Sequence, residues 1–69
     1  MKLKITNMIH VLRAEKKMSQ DQVAQAVEVT RATINSIEKG NYNPSLELAF
    51  RIARFFKKDI KDVFIVEEE

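Results

Sequence analysis

Residues 20–39, QDQVAQAVEVTRATINSIEK, decide how the chain reads. Apolar side chains recur there at helical spacing on both sides of a break at Val27-Glu28-Val29. The spacing marks two short amphipathic helices, and the break marks a tight turn between them. Each helix carries its own start signal. Ser19 followed by Gln22 is a capping box, in which side chains and backbone satisfy each other's unpaired groups. Thr30 stands before the second run as its N-cap. Gly40 stops that run in the left-handed region. Asn41-Tyr42-Asn43-Pro44 then makes a loop, which Pro44 keeps from turning helical.

The flanks extend the same pattern. Met1 to Ile5 alternates apolar and basic residues, as a short strand does. Thr6 or Asn7 caps a first helix, with Ile5, Met8, Ile9 and Leu12 at helical spacing. Arg13, Lys16 and Lys17 follow in its C-terminal half, where cations suit the helix dipole. Ser45 caps a fourth helix. Its Leu46, Leu48, Ala49, Phe50, Ile52, Ala53, Phe55 and Phe56 give an apolar face wider than one small core needs. Asp59 caps a short fifth helix through Ile60, Val63 and Phe64. The β-prone Phe64-Ile65-Val66 can pair with Lys2-Leu3-Lys4-Ile5. The expected class is all-α, with five helices and a short two-stranded antiparallel ribbon joining the termini.

Length and composition bound the rest. Sixty-nine residues make one domain, here taken as 1–69, with limited burial and limited stability. There is no cysteine and a single histidine, His10, so no disulfide framework and no thiolate or multi-histidine metal site is expected. One Gly, one Pro and 45% hydrophobic residues favour helices with short loops. The net charge is +2, but the terminal Glu67, Glu68 and Glu69 mask part of it. The first 66 residues hold 12 basic and 7 acidic side chains, a net +5 that hints at an anionic partner. No apolar run approaches the roughly 18 residues of a membrane span. No signal peptide is recognisable, so a cytoplasmic protein is expected. No nucleophile–base arrangement and no Gly-rich phosphate loop appears, so no enzyme activity and no cofactor is expected.

Segment 20–39 also meets the demands of a helix-turn-helix, whose two helices cross closely over a tight turn. Counting Gln20 as the first position, the fifth must be small, and it is Ala24. Positions four, eight, ten, fifteen and eighteen must be apolar, and they are Val23, Val27, Val29, Ile34 and Ile37.

The chain resembles the Cro/C1-type, or Xre, helix-turn-helix family of phage and bacterial repressors, in particular small stand-alone repressors such as the cytolysin repressor. Ser19-Gln20, Val29-Thr30-Arg31, Ile34 through Gly40 and Asn43-Pro44-Ser45-Leu46 carry the likeness, which spans about residues 5–64. The resemblance implies a five-helix, lambda-repressor-like DNA-binding domain, usually a homodimer on palindromic operators. It also implies that Arg13 and Glu38 form a structural ion pair linking helix one to helix three. The sequence departs from the family at Glu28, where the turn residue is usually glycine because its φ is positive.

On this reading helix three enters the major groove with its N-terminal end. Thr30, Arg31, Ala32, Thr33, Asn35 and Ser36 face outward. Arg31 can take both acceptors of a guanine or hold a phosphate. Asn35 and Ser36 can bond base edges. The methyl groups of Ala32 and Thr33 can meet thymine, and the Thr30 and Thr33 hydroxyls can hold phosphates. Gln20, opening helix two, can reach a phosphate or serve only to start the helix. Lys39, Asn41, Tyr42 and Asn43 resemble the family's backbone-clamping loop, although loop polarity alone accounts for the asparagines and Tyr42 can instead pack on helix four.

Phe50, Phe55, Ile65 and Val66 are surplus to the core. They either complete it or form a two-fold interface within residues 46–66. The expected partners are therefore double-stranded DNA and a second copy of the chain, with no membrane and no small-molecule effector. The function that follows is a sequence-specific transcriptional regulator, most simply a repressor. An antitoxin-like or restriction-modification controller protein of this fold is an alternative, and so is an interaction module that has lost DNA binding. The polar outer face of helix three separates the last from the first.

Overall fold

The computed structural model describes residues 1–68; Glu69, the last of the acidic tail, lies outside the described residues. The order is β1 (Leu3–Asn7), α1 (Ile9–Glu15), α2 (Gln20–Ala26), α3 (Arg31–Glu38), α4 (Leu46–Phe56), α5 (Ile60–Val63) and β2 (Phe64–Glu68). The fold is mostly helical, but it is not all-α: the two terminal segments are true strands. They pair antiparallel with Leu3 opposite Glu68, Ile5 opposite Val66 and Asn7 opposite Phe64.

The ribbon runs further than apolar alternation suggests, through Thr6 and Asn7 on one side and Glu67 and Glu68 on the other. Strand pairing is made by backbone groups, so a polar side chain does not end it. The register sets Lys4 opposite Glu67, so residues of opposite charge face each other across the ribbon. Ile5 belongs to β1, as its place in the ribbon predicted, and not to the first helix's apolar stripe; α1 starts only at Ile9. Met8 occupies the N-cap position without a side-chain bond. Asn7 supplies the capping instead, its Oδ1 accepting from the Ile9 N–H at 3.2 Å.

The other starts follow their side chains. Ser19 and Gln22 complete the capping box. Thr30 accepts from the Thr33 N–H, and Ser45 from the Leu48 N–H. Asp59 differs from expectation: it precedes α5, but its carboxylate makes no capping bond. Its carbonyl accepts from the Asp62 N–H instead.

Four helices end in one way. A residue one or two positions past each helix turns left-handed: Lys17 (φ 54°), Glu28 (φ 64°), Gly40 (φ 79°) and Lys57 (φ 58°). The next N–H then returns to a carbonyl five residues back, from Met18 to Arg13, Val29 to Ala24, Asn41 to Ser36 and Lys58 to Ala53. These are Schellman closures, which satisfy carbonyls that a helix end leaves unpaired.

The core forms where all five helices meet. Ile9, Leu12, Val23, Ala24, Val27, Ile34, Ile37, Leu48, Ile52, Ala53, Phe56 and Val63 are buried together. Each fully buried isoleucine or valine contributes roughly 1.5–3 kcal/mol. Ala24 is enclosed between α2 and α3, where a larger side chain would push the helices apart. Among the described residues no helix is long and apolar enough to cross a membrane.

Candidate nucleic-acid interface

The inner face of α3 is fixed from several directions. Ile34 and Ile37 anchor it in the core. From β1, the Asn7 Nδ2 donates to the Ile37 carbonyl at 2.9 Å. From α1, Arg13 grips Glu38 at two points, Nε to Oε2 at 2.9 Å and Nη2 to Oε1 at 3.1 Å. The Arg13 Nη1 also donates to the Met18 carbonyl at 3.1 Å, so the same guanidinium ties the α1–α2 connection to α3. Burial pushes the Glu38 carboxyl up, but the hydrogen bonds from Arg13 and Gln20 outweigh it and hold the group below its ordinary value. The bond to Glu38 holds the Arg13 guanidinium above its own, against desolvation.

The turn between α2 and α3 is braced from behind. On α4, the Arg51 Nη1 donates to the Val27 carbonyl at 2.8 Å while its Nη2 donates to Glu47 at 2.6 Å. Glu47 and Arg51 stand four residues apart on one helix face, so the carboxylate pre-aims the guanidinium at the turn.

Gln20 is engaged inward. Its Nε2 donates to the Asn35 Oδ1 at 3.2 Å and to the Glu38 Oε1 at 3.1 Å. An amide nitrogen has two hydrogens, and both are used. The capping box belongs to Gln22, so Gln20 is not a filler for it. Through Gln20 the side chains of Arg13, Glu38 and Asn35 form one continuous network across α1, α2 and α3.

The outer face of α3 is open. Thr30, Arg31 and Ala32 are exposed at its N-terminal end, and Thr33, Asn35 and Ser36 are half-buried along it. The Thr30 hydroxyl caps the Thr33 N–H at 3.2 Å and lies 3.0 Å from the Thr33 hydroxyl. Ala32, Thr33, Ser36 and Tyr42 line a shallow concavity. Tyr42 is half-exposed there, beside the outer face of α3. Lys39 and Asn41 are exposed at the C-terminal end of the helix. Asn43 lies apart from this face, at the rim of an apolar groove with Pro44, Leu46, Ile5 and Val66. At the other end, the α2 N-terminus opens into a polar cleft lined by Arg13, Ser19, Gln20, Asp21 and Arg31. The first N–H groups of a helix have no intrahelical partners and favour an anion there.

The four surplus apolar residues separate. Phe50 and Val66 are exposed, at 48% and 57%. Phe55 packs edge-to-face on Phe56, 5.0 Å between ring centres, against the core. Ile65 is half-buried in β2. Leu3, Ile5 and Leu46 are exposed as well, and Ile5 and Leu46 line one groove with Val66. Sequence did not reveal Asn7 and Arg51 as supports of α3 and of the turn before it. The Glu47–Arg51 spacing was a visible signal for one; the carbonyls that both residues reach lie far away in the chain.

Residues 9–63 match the helix-turn-helix family model. An uncharacterized HTH-type transcriptional regulator of Archaeoglobus fulgidus is 51% identical, over 88% of this chain and 86% of its own. One from Methanocaldococcus jannaschii is 46% identical over 91% and 96%. The cryptic phage CTXphi transcriptional repressor RstR of Vibrio cholerae is 33% identical, over 80% of this chain but only 50% of its own. Among solved structures, the restriction-modification controller protein C.AhdI of Aeromonas hydrophila shares the fold, with a TM-score of 0.72 at 24% identity over 78% of each chain. Matched family, close relatives and helix geometry agree: the chain belongs to the Cro/C1-type helix-turn-helix family of transcriptional regulators.

Proposed function

We propose that the protein is a sequence-specific DNA-binding repressor that acts as a homodimer on a palindromic operator, with α3 in the major groove. The observation that carries this reading is the asymmetry of α3. Its inner face is immobilised by Asn7, Arg13, Gln20 and the core, while Thr30, Arg31, Ala32, Thr33 and Ser36 stand on the outer side. A helix held that rigidly with polar groups outward is what direct readout of base edges requires. Arg31 and Ser36 are assigned to bases, and the methyl groups of Ala32 and Thr33 to thymine. Lys39, Asn41 and Tyr42, with the backbone N–H groups at the start of α2, are assigned to phosphates. The side-chain amide nitrogen of Gln20 is spent on α3, so any phosphate contact there runs through its backbone.

Repression is the role that the likeness to the phage repressor supports. A bound recognition unit can block a promoter simply by occupying it, and this reading goes with a cytoplasmic site of action. The dimer is supported by the apolar surface of Leu3, Ile5, Leu46, Phe50 and Val66. A second copy covering it would set two α3 helices about 34 Å apart, one turn of DNA. The test is binding to mixed-sequence DNA at about 50 and about 200 mM salt. Two charged phosphate contacts per dimer, one Lys39 from each copy, predict a loss on the order of tenfold between the two. Undetectable binding at the lower salt would sink the reading.

A further inference from the structure

We infer that the recess between α3 and Tyr42 reads the 5-position of a pyrimidine, so that the protein accepts 5-methylcytosine where it accepts thymine. This rests on the DNA-binding reading above and concerns which bases are selected once α3 is in the groove. Ala32, Thr33, Ser36 and Tyr42 line the recess, and no charged side chain is among them. The first three are small and share one side of α3, so they make a floor. Tyr42 is the one large side chain and stands as a wall. It is brought back beside the helix because Gly40 turns left-handed and the Asn41 N–H closes on the Ser36 carbonyl at 2.9 Å.

Thr33 turns its hydroxyl toward that of Thr30, 3.0 Å away, so the branch outside that contact is its methyl. Ala32 is exposed and Tyr42 half-exposed, so both have apolar surface to lose when DNA arrives. The recess therefore offers an apolar floor, an aromatic wall and the Ser36 hydroxyl. In the major groove the one methyl group on a base edge is that of thymine, at C5. A cytosine methylated at C5 presents the same group in the same place. The two bases differ beside it, where thymine has an accepting O4 and cytosine a donating N4. A serine hydroxyl both donates and accepts, so Ser36 serves either. Discrimination at this position falls on the methyl, and unmethylated cytosine is the pyrimidine disfavoured. Tyr42 contributes its ring, which leaves the hydroxyl at its tip for a phosphate.

The test starts from an operator that the full chain selects out of a randomised DNA pool. Each thymine is then replaced by uracil, which removes only the methyl. One position of each half-site should lose about fourfold in affinity, the worth of one methyl group taken from water. At that position 5-methylcytosine should bind more tightly than cytosine by the same factor. Tyr42→Ala should bring both ratios below about twofold, and Tyr42→Phe should keep them, since the ring remains. The inference is overturned if no uracil substitution changes affinity, or if cytosine and 5-methylcytosine bind alike. It is also overturned if Tyr42→Ala weakens thymine and uracil operators equally and keeps their ratio, as loss of a phosphate contact alone would. The comparisons between bases use the wild type, so they decide the matter even where Tyr42→Ala does not fold. A wild type that enriches no sequence at all removes the DNA-binding reading itself, and this inference with it.

Discussion

Arg13 and Glu38 lie 25 residues apart in sequence and meet through two parallel hydrogen bonds of 2.9 and 3.1 Å. The pair joins α1 to the last turn of α3, so it sets the angle at which α3 is presented. Its side chains are 21% and 9% exposed, enough burial for an orphaned partner to be costly. Arg13→Met should lower stability by about 2–4 kcal/mol, read as a fall in melting temperature by circular dichroism. Replacing both residues by apolar ones of similar volume should recover much of that loss, because no buried charge is then left alone.

The same contact makes stability depend on pH. The Glu38 carboxyl is held below its ordinary value when folded, so the folded state binds its proton less readily than the unfolded chain does. Its stabilisation is therefore complete above the unfolded value, about 4.3, and is lost as pH falls through the lower folded value. The melting temperature should drop on acidification below about pH 4. Glu38→Gln should be less stable at neutral pH and should show a flatter acid limb. An acid limb of unchanged steepness would assign the pH dependence to other carboxylates.

Glu28 closes α2 in the left-handed region, where an L side chain is strained by about 1 kcal/mol. Glu28→Gly should therefore stabilise the protein by up to about 1 kcal/mol, less the greater freedom that glycine has when unfolded. Gly40→Ala tests the converse. A Cβ there would meet no atom within 4 Å, so its cost of about 1 kcal/mol would come from backbone conformation alone. Chemical denaturation of the two variants should move the midpoint in opposite directions.

The two changes also mark what could be read from sequence. Caps at Ser19, Thr30 and Ser45 and the stripe Val23, Ala24, Val27, Ile34, Ile37 were legible because each depends on neighbours within one or two turns. The left-handed Glu28 was legible only through the family resemblance, which implies a positive φ at that turn position. The length of the ribbon was not, since pairing of Glu67 and Glu68 with Lys4 and Leu3 is decided by a partner strand some sixty residues away. The inward engagement of Gln20 was hidden for a related reason. A polar residue at the start of a helix looks solvent-facing until α3 brings Glu38 and Asn35 to it. The role of Arg51 was hidden in the sequence, because only the fold delivers the Val27 carbonyl to its Nη1.

The exposed apolar surface predicts concentration-dependent behaviour. Leu46 is 71% exposed and Phe50 stands one turn further along the same helix face, with Val66 across the groove. Covering such a surface with a second copy removes apolar area from water at about 25 cal/mol per Å2. Sedimentation at micromolar concentration should give a dimer. Leu46→Lys combined with Phe50→Lys should give a folded monomer that loses affinity for a two-half-site operator while still binding DNA weakly. A wild type that sediments as a monomer at about 8 kDa would remove the dimer.

Arg31 opens α3 at the tip that enters the groove first, and its guanidinium is exposed. It also borders the cleft at the α2 N-terminus, where a phosphate would sit. The two roles leave different traces. A guanidinium forked onto guanine contributes discrimination, so Arg31→Ala should cost about 1–3 kcal/mol on the preferred site and relax one base position. A guanidinium on phosphate would weaken all sequences alike and lower the salt slope by about 1. Asp21 lines the same cleft and opposes an anion there, which favours the base-reading role. The expected result is therefore a loss of selectivity with little change in the slope of log K against log salt. Lys39→Ala, at the far end of the helix, should do the reverse.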